Sequence, residues 1–403
     1  MIAVALSGGV DSTAAAILLH ESGERLMGIS MRLGDNLPDG VHLERAKTLC
    51  SKLGIAYHVI DLTRAFDSIR SYFCDAYLAS LTPNPCAVCN RDMKFGLLFE
   101  EARTLGADTL ATGHYVRRNA SGDRCFLSRA AWKNSQEYFL GLLPQEVLWN
   151  ATFPLADVSR PAAEDLVRGM GHDIRPQASS QDICFIQDDY VSFIQDITGR
   201  RAVPGHILDT RGRIVGNHRG SLHYTIGQRK GLGMGFGRRV YVLDVDRAEN
   251  TVTIGERSEW PYQGFFIDAV NYMKLATLEA PLTVMVKVRY KQDPMSATIR
   301  PTMEGLWIDY PDLFAPGQLA VAYDTDGAVL LAGFIRSPRP KGDASERPAW
   351  SLMRQDDNGH RFLVSVHASR AQAQQALTAL EAGHHKQVYW IEPAHARKDT
   401  DTQ

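Results

Sequence analysis

Short apolar runs alternate with amphipathic stretches over the first 115 residues. Buried strands are indicated at residues 3–6, 26–31, 56–62 and 109–112. Helical patterns occupy residues 13–22 and 43–53, and each is followed by a glycine that suits a helix C-terminus. Because strands that alternate with helices form parallel sheets, this pattern predicts an N-terminal α/β domain with a doubly wound parallel sheet.

The pattern changes near residue 200. Glycine becomes frequent, helical periodicity ends, and residues 219–232 are basic and interleaved with tyrosine. Such a segment suits close approach of the backbone to a polyanion. Residues 241–254 then alternate like two strands joined at Glu249 and Asn250. Residues 198–262 are therefore predicted to form a small central domain.

Apolar and polar residues alternate most clearly in the section that follows. The alternation covers residues 282–290, 297–300 and 320–323. Short strands at this spacing predict a C-terminal β-barrel over residues 263–338.

The last section begins after a break rich in proline and basic residues. Strands are indicated at residues 361–367 and 388–391, with a helix at residues 368–382 between them. This order predicts a short α/β tail over residues 339–403, arranged as a small βαβ appendage.

Composition limits the class of protein. A chain of 403 residues is long enough for two or three domains, and 44% apolar with 22% charged residues is typical of soluble globular proteins. The net charge of −2 means that any basic surface for nucleic acid must be local. We expect a cytoplasmic protein without membrane contact, because the chain has neither a signal peptide pattern nor an apolar run of membrane-spanning length. Six cysteines are too few for a disulfide scaffold.

A phosphate-binding loop is predicted at residues 7–12, Ser-Gly-Gly-Val-Asp-Ser, between the first strand and the first helix. Helix N-termini bind anions through unpaired N–H groups, and Gly8 and Gly9 carry no side chain that would keep a phosphate away. Asp11 or Ser12 is expected to cap the helix. The loop matches neither the P-loop pattern nor the Rossmann pattern.

Two prolines flank Asn84 between the third and fourth predicted strands. Pro83 and Pro85 predict a stiff, extended loop, and a helix is expected to begin near Asn90 and to end at Gly106.

That prediction places Cys89 at the N-terminus of a helix, with Arg91 and Lys94 nearby. Each of these features lowers a thiol pKa, so Cys89 is expected to be a reactive thiolate. The remaining isolated cysteines are expected to be inert core residues: Cys50, Cys74 and Cys125.

Eight motifs occur in order along residues 1–337. They are SGGVDS at 7–12, TPNPxxxCNxxxKF at 82–95, ATGHYVR at 111–117, QEYFL at 136–140, ICFI at 183–186, GQRKGLG at 227–233, VRY at 288–290 and APGQ at 315–318. The first resembles the signature of the N-type ATP pyrophosphatases. Together the motifs resemble the bacterial tRNA-specific 2-thiouridylase family.

The resemblance implies a three-part fold and a reaction. It implies an adenine nucleotide α-hydrolase-like ATP pyrophosphatase domain at residues 1–197, a tRNA-contacting domain at 198–262 and a barrel at 263–338. The family usually lacks a counterpart of the appendage at 339–403, whose role the resemblance does not define. The implied reaction adenylates O2 of the wobble uridine of tRNA, and sulfur then displaces AMP.

The implied cofactors are ATP and Mg²⁺, the ion expected for its phosphates. By resemblance, the residues that bind ATP are Ala5, Leu6, Ser7, Gly8, Gly9, Val10, Asp11, Ser12, Met31 and Gly113.

The implied partner is the anticodon loop of tRNA. The target base would be held near Asn84, Pro85 and Cys86, since enzymes that act on a base must unstack it. The positions that match tRNA-contacting residues of the family are His114, Asn134, Ser135, Gln136, Arg289, Tyr290 and Gln318.

The chemistry of sulfur transfer stays open between three alternatives. By resemblance Cys89 is the nucleophile and Cys184 carries a persulfide, supplied by a sulfur-donating protein. Most members of the family have Asp where this chain has Cys86. The three thiols of Cys86, Cys89 and Cys184 could instead hold a 4Fe–4S cluster that binds hydrosulfide. Zinc is a third alternative, although structural zinc sites normally use four ligands.

Two other functions compete with tRNA thiolation. Another adenylating pyrophosphatase, such as an amide- or amidine-forming synthetase, would share the SGGVDS loop but has no need of a distant partner thiol. A non-catalytic RNA regulator that binds ATP or a cluster would bind tRNA without releasing pyrophosphate.

Overall fold

The computed structural model describes residues 1–34, 39–171, 183–186, 189–232, 237–336, 350–355, 361–367, 374, 377–378 and 388–393. These residues fall into two compact units, Met1–Ser337 and Pro338–Gln403. No helix in the described part of the chain combines the length and apolar content needed to cross a membrane.

A five-stranded sheet forms the centre of the N-terminal part. Its strands, with the inserted hairpin β5–β6, are β1 (Ile2–Ala5), β2 (Leu26–Arg32), β3 (Ala56–Asp61), β4 (Thr109–Ala111), β5 (Val116–Ser121), β6 (Arg124–Arg129) and β7 (Ala151–Thr152). The sheet order is β3-β2-β1-β4-β7, and every neighbouring pair in it is parallel. The predicted doubly wound parallel sheet is confirmed.

Helices cover both faces of this sheet. They are α1 (Val10–Glu21), α2 (Asp39–Leu53), α3 (Thr63–Leu78), α4 (Pro85–Cys89), α5 (Leu98–Thr104), α6 (Gln145–Trp149), α7 (Arg160–Gly169) and α8 (Tyr190–Thr198). Val4 and Leu6 of the first strand segment pack with α1, α2 and α7 in one apolar cluster. Ala3 packs with α3 and α5 in the other, because successive residues of a strand point to opposite faces.

The predicted extended loop before Asn90 holds for residues 81–84 but is wrong for residues 85–89, which are helical. Helix α4 begins at Pro85, whose missing N–H is not needed in a first helical turn. Asn84 caps the helix, because its side-chain oxygen accepts a 3.1 Å hydrogen bond from the N–H of Ala87. The chain continues into a wider, π-helical segment, Asn90–Leu97, which kinks at Gly96 before α5 begins.

Two further sheets complete the larger unit. The central sheet has the order β10-β11-β8-β9 and contains β8 (Gly205–Leu208), β9 (Ile214–His218), β10 (Tyr241–Asp246) and β11 (Thr251–Gly255). The predicted barrel is confirmed as a closed barrel of the order β12-β15-β14-β13-β16-β17. Its strands are β12 (Gly264–Tyr272), β13 (Leu282–Lys287), β14 (Met295–Thr302), β15 (Gly305–Asp309), β16 (Leu319–Tyr323) and β17 (Val329–Arg336).

The second unit corrects the predicted βαβ appendage. Its strands are β18 (Trp350–Gln355), β19 (Arg361–His367) and β20 (Val388–Pro393). The sequence pattern missed β18, which precedes the two predicted strands along the chain. In the sheet β18 lies between them and pairs antiparallel with both. Most of the predicted helix at 368–382 lies outside the described residues.

Candidate active site

A cavity of about 260 Å³ opens at the carboxyl ends of β1, β2 and β4. Ligands bind at this edge in open parallel sheets. Seven of the residues expected to bind ATP line it: Ala5, Leu6, Ser7, Asp11, Ser12, Met31 and Gly113. Gly8, Gly9 and Val10 belong to the same loop but are not among the lining residues. Further lining residues that were not assigned to ATP include Leu33, His42, Lys94, Thr112, His114 and Gln136.

The loop before α1 is held by its serines. The N–H of Ser7 donates to Oγ of Ser12 at 3.1 Å, and that hydroxyl donates to the carbonyl of Gly9 at 3.1 Å. The expectation that Asp11 or Ser12 caps α1 is wrong: Gly9 is the N-cap, and no side chain caps the helix. The N-terminus of α1 therefore faces the cavity without a side chain that competes for an anion.

Two glycines allow the backbone segments around the cavity to approach each other. Gly8 has a φ of +68°, and a Cβ there would lie 2.4 Å from the carbonyl oxygen of His42. A Cβ on Gly113 would lie 2.5 Å from the carbonyl carbon of Asp11 and 2.6 Å from the N atom of Ser12. Gly113 thus packs the loop after β4 directly against the start of α1.

Asp11 is neutralised from the side of α7. Both carboxylate oxygens accept from Nη1 of Arg160, at 2.8 and 2.7 Å, and the hydroxyl of Tyr115 donates to Oδ1 at 2.6 Å. Burial and then the Asp11 carboxylate raise the pKa of Tyr115. Arg160 thus offsets a negative charge that would repel a phosphate in the cavity.

Replacing Arg160 by glutamine is expected to raise the KM for ATP about tenfold, because the carboxylate of Asp11 would remain beside the phosphates without its partner. Arg168→Gln is the matched control on the same helix, since Arg168 pairs with Glu164 and Asp165 at the surface. Equal KM values for the two variants would contradict this role of Arg160. Steady-state measurement of ATP consumption decides between these results.

Three cysteine thiols outside the cavity lining interact electrostatically with one another. Cys86 and Cys89 are separated by one turn of α4 and are half-buried, whereas Cys184 is exposed. Burial, and then the Cys184 thiol, raises the pKa of Cys86 to about 11. Burial raises the pKa of Cys89 to about 12, although Lys94 lowers it. The expectation of a low-pKa thiolate at a helix N-terminus is therefore wrong, because Cys89 ends α4 and is partly desolvated.

Lys94 connects the thiols with the cavity. Lys94 lines the cavity, and its positive charge lowers the pKa of both Cys86 and Cys89 against the larger effect of burial. It contributes as well, after burial, to a pKa of His114 far below the ordinary value, so that imidazole is neutral. Lys94 is therefore a residue that the cavity and the two thiols on α4 have in common.

The rate of alkylation of Cys89 by iodoacetamide is expected to rise about tenfold per pH unit from about pH 7 to pH 9, since only the thiolate reacts and the raised pKa leaves Cys89 protonated at neutral pH. Lys94→Met should slow the reaction at every pH, because it removes the cation that lowers this pKa. Mass spectrometry of the labelled peptide gives the rate. A plateau below about pH 8 would contradict the assignment.

Within the described residues, no group of three or more His, Cys, Asp or Glu side chains is arranged to hold a single metal ion. The thiols as placed therefore do not fit the zinc alternative. The iron–sulfur alternative stays a prediction, because the ligands of a cluster lie farther apart than those of one ion. Asp11 is paired with Arg160, so Mg²⁺ would be held chiefly by the phosphates of ATP.

Three residues expected to touch tRNA make hydrogen bonds within the protein, and two of them, His114 and Gln136, line the cavity. Nδ1 of His114 is hydrogen-bonded to the Thr112 hydroxyl at 2.8 Å. Oε1 of Gln136 accepts from the N–H of Tyr115 at 2.9 Å. Ser135 is buried, and its hydroxyl accepts from Ala130 N–H and donates to the carbonyl of Tyr115. These contacts hold the segment after β4 in place.

Gln318 holds the segment before α4 against the barrel. Its Nε2 donates to the carbonyl of Pro83 at 2.8 Å, and its Oε1 accepts from the buried Asn84 amide at 3.5 Å. The N–H of Thr82 also donates to the carbonyl of Pro316 at 2.7 Å. Residues 315–318 therefore hold the segment that precedes α4, the helix that carries Cys86 and Cys89.

Arg289 and Tyr290 also lie between parts of the larger unit. Nη2 of Arg289 donates to the carbonyl of Ile226 at 3.1 Å, which connects the segment after β13 with the segment between β9 and β10. The Tyr290 hydroxyl donates to the carbonyl of Asn134 at 3.3 Å, and its ring lies 4.5 Å from that of Phe139. Tyr290 and Asn134 border a smaller pocket that shares Asp11 and Gln136 with the main cavity.

Comparison with known proteins agrees with this arrangement. The family model described as a tRNA methyl transferase HUP domain matches residues 1–188. The model of a tRNA methyl transferase PRC-barrel domain matches residues 191–256, and that of an aminomethyltransferase beta-barrel domain matches residues 262–335. The fold and the site thus define a HUP-domain protein that carries two β domains.

Relatives identify the family more closely. The tRNA-specific 2-thiouridylase MnmA of Clostridioides difficile strain 630 is 34% identical over 353 residues, which cover 83% of this chain and 97% of the relative. The protein of the same name from Desulfitobacterium hafniense strain Y51 is 39% identical over 315 residues, covering 74% of this chain and 85% of the relative. The chain belongs to the tRNA-specific 2-thiouridylase MnmA family.

A more distant likeness exists among solved structures. The U34-tRNA thiolase NcsA from Methanococcus maripaludis, solved with its [4Fe-4S] cluster, is 21% identical and matches with a TM-score of 0.30. The match covers 49% of this chain and 64% of that protein. This likeness is too distant to bear on the metal content of the present chain.

Proposed function

We propose that the protein catalyses ATP-dependent 2-thiolation of the wobble uridine in tRNA. The main structural support is that Lys94 lines the cavity and also lowers the pKa of the Cys86 and Cys89 thiols. A substrate activated in the cavity would therefore meet sulfur without leaving the site. Membership of a family whose relatives are named tRNA-specific 2-thiouridylases supports the substrate and the reaction.

The first half of the reaction would be adenylation of the uracil. A carbonyl oxygen is a poor leaving group, whereas AMP is a good one. The N-terminus of α1 would bind the phosphates of ATP, with Mg²⁺ carried on them. Gly113 permits the close approach of the loops, and Met31 would contact the adenine from the end of β2. O2 of the uridine then attacks the α-phosphorus, and pyrophosphate leaves.

The second half would transfer sulfur. A persulfide on the exposed Cys184 attacks C2 of the uridine, and AMP leaves with the bonding electrons. The Cys89 thiolate then attacks Sγ of Cys184, which releases 2-thiouridine and leaves a Cys89–Cys184 disulfide. Exposure of Cys184 suits loading by a sulfur-donating protein or by hydrosulfide with an oxidant, whereas half-buried Cys89 needs no outside partner.

The target base would lie against α4, next to Cys86. Asn84 and Pro85 would fix this helix rather than contact the base through exposed polar atoms, since both are buried. Arg229 and Lys230 of the 227–233 motif are exposed and offer charge to the tRNA backbone. Such a local basic surface is compatible with the net charge of −2.

Nucleoside analysis of tRNA tests this proposal. The purified protein, ATP, a sulfur source and a tRNA with U34 are expected to yield 2-thiouridine, detected by mass spectrometry after digestion. The matched substrate is the same tRNA with C34, for which no product is expected. Thiolation of neither substrate, or of uridines elsewhere in both, would contradict the proposed function.

A further inference from the structure

The segment from Cys86 to Cys89 forms a Cys-x-x-Cys sequence on one helical turn. Both residues belong to α4, so their Cα atoms lie about 5 Å apart by helix geometry. This separation falls within the range that a disulfide spans. A bond between the two thiols needs only a local tightening of this turn, which brings the Cβ atoms from the roughly 5–6 Å of a regular helix to the roughly 4 Å of a disulfide.

Cys184 interacts with the same pair. Its thiol raises the pKa of Cys86 and of Cys89, and Cys86 raises that of Cys89. Of the three residues, Cys184 is exposed, whereas Cys86 and Cys89 are half-buried. A thiol on α4 is thus placed beside the disulfide that sulfur transfer would leave between Cys89 and Cys184.

We propose that Cys86 is a resolving thiol that moves this disulfide onto α4 after each turnover. The inference rests on the proposed function. The Cys86 thiolate attacks Sγ of Cys89, and the bond between Cys89 and Cys184 breaks. Cys184 leaves with the electron pair and takes a proton, while a Cys86–Cys89 disulfide forms.

The exchange is balanced, because one disulfide replaces another and the number of electrons is unchanged. The disulfide on α4 is then reduced by an external dithiol, which takes up the oxidising equivalents of the turnover. As a consequence, Cys184 is again a thiol and can accept the next sulfur before that reductant acts. An aspartate at position 86 could not perform this step, because a carboxylate does not exchange with a disulfide.

Differential thiol labelling after a single turnover tests the inference. Persulfide-loaded protein reacts once with ATP and tRNA without reductant, free thiols are blocked, and tandem mass spectrometry reads each cysteine. In wild-type chains that have formed thiouridine, the Cys86–Cys89 disulfide with a reduced Cys184 thiol is expected to exceed the Cys89–Cys184 disulfide by at least about ten to one. Cys86→Ser and Cys86→Asp should both leave Cys89–Cys184 disulfide instead.

A second arm needs no tRNA. The protein is equilibrated in a glutathione redox buffer and mapped in the same way, with thermal unfolding as a check that each variant folds. The wild-type chain should again show the Cys86–Cys89 bond, and the two variants should not.

The outcomes separate the inference from the function on which it rests. Thiouridine formed with the Cys89–Cys184 disulfide intact in the wild-type chain would overturn the inference and leave the proposed function standing. If no thiouridine forms, the proposed function is wrong. The glutathione experiment then still shows whether the disulfide moves from Cys89–Cys184 to Cys86–Cys89. Iron bound to the anaerobically purified protein and lost in Cys86→Ser would also overturn the inference, since the thiols would then be ligands.

Discussion

Replacing Cys89 by serine is expected to lower tRNA thiolation at least about a thousandfold, because the hydroxyl cannot take over the disulfide-forming step. Cys184→Ser should have the same effect, since the persulfide would have no carrier. Release of pyrophosphate in the presence of tRNA should persist in both variants, because the thiols act after adenylation. Thiouridine and pyrophosphate measured in the same reaction give both quantities.

Cys50→Ala is the matched control for these variants. Cys50 is buried in the cluster formed by α1, α2 and α7, and burial raises the pKa of its thiol to about 11. Its activity is expected to stay within about twofold of the wild-type value. Full activity of Cys89→Ser would contradict the thiolase account and favour an adenylating synthetase, which needs no thiol.

Replacing Gly113 by alanine is expected to destabilise the protein by about 3 kcal/mol and to weaken ATP binding at least about tenfold. The added Cβ would lie 2.5 Å from the backbone of Asp11, and a backbone atom cannot turn away as a flexible side chain can. Relief of the clash would displace the N-terminus of α1. Thermal unfolding and calorimetric titration with ATP measure the two effects.

Gly169→Ala provides the comparison for this substitution. Nothing lies within 4 Å of a Cβ at Gly169, which is the last residue of α7. We expect no loss of ATP affinity and a change in stability within about 1 kcal/mol, because alanine suits a helix better than glycine. If Gly113→Ala bound ATP as well as Gly169→Ala does, the close packing of the two loops would not matter for nucleotide binding.

The local pattern of apolar residues was sufficient to predict the parallel sheet and the barrel, because the strands of both follow from its period. Strands β1 to β4 and the alternation along β13, β14 and β16 follow directly from that period. The SGGVDS loop was likewise recognisable, because its six residues are contiguous and lie between a strand pattern and a helix pattern.

The features that were missed depend on contacts between distant residues. Arg160 lies 149 residues from Asp11, and no local motif links them, although Ser159 and Pro161 do mark the start of α7. The two prolines around Asn84 were interpreted as helix breakers, whereas Pro85 occupies the first turn of α4, where proline is favoured.

The pKa of Cys89 also depends on tertiary structure that the sequence pattern does not show. Sequence proximity to Lys94 predicted a low pKa for Cys89, and Lys94 does lower it. Burial, which the sequence does not report, has the larger effect and raises the pKa to about 12. In the second unit, β18 was missed because its pairing with β19 and β20 is a tertiary feature of a short strand.

The most direct measurement of the central claim is the ratio of AMP, pyrophosphate and 2-thiouridine formed in one reaction with persulfide-loaded protein. If ATP bound in the cavity activates the uridine for attack by sulfur, one AMP and one pyrophosphate form for each thiouridine. No pyrophosphate is then expected without tRNA. Pyrophosphate released equally without tRNA, or thiouridine formed without ATP cleavage, would contradict it.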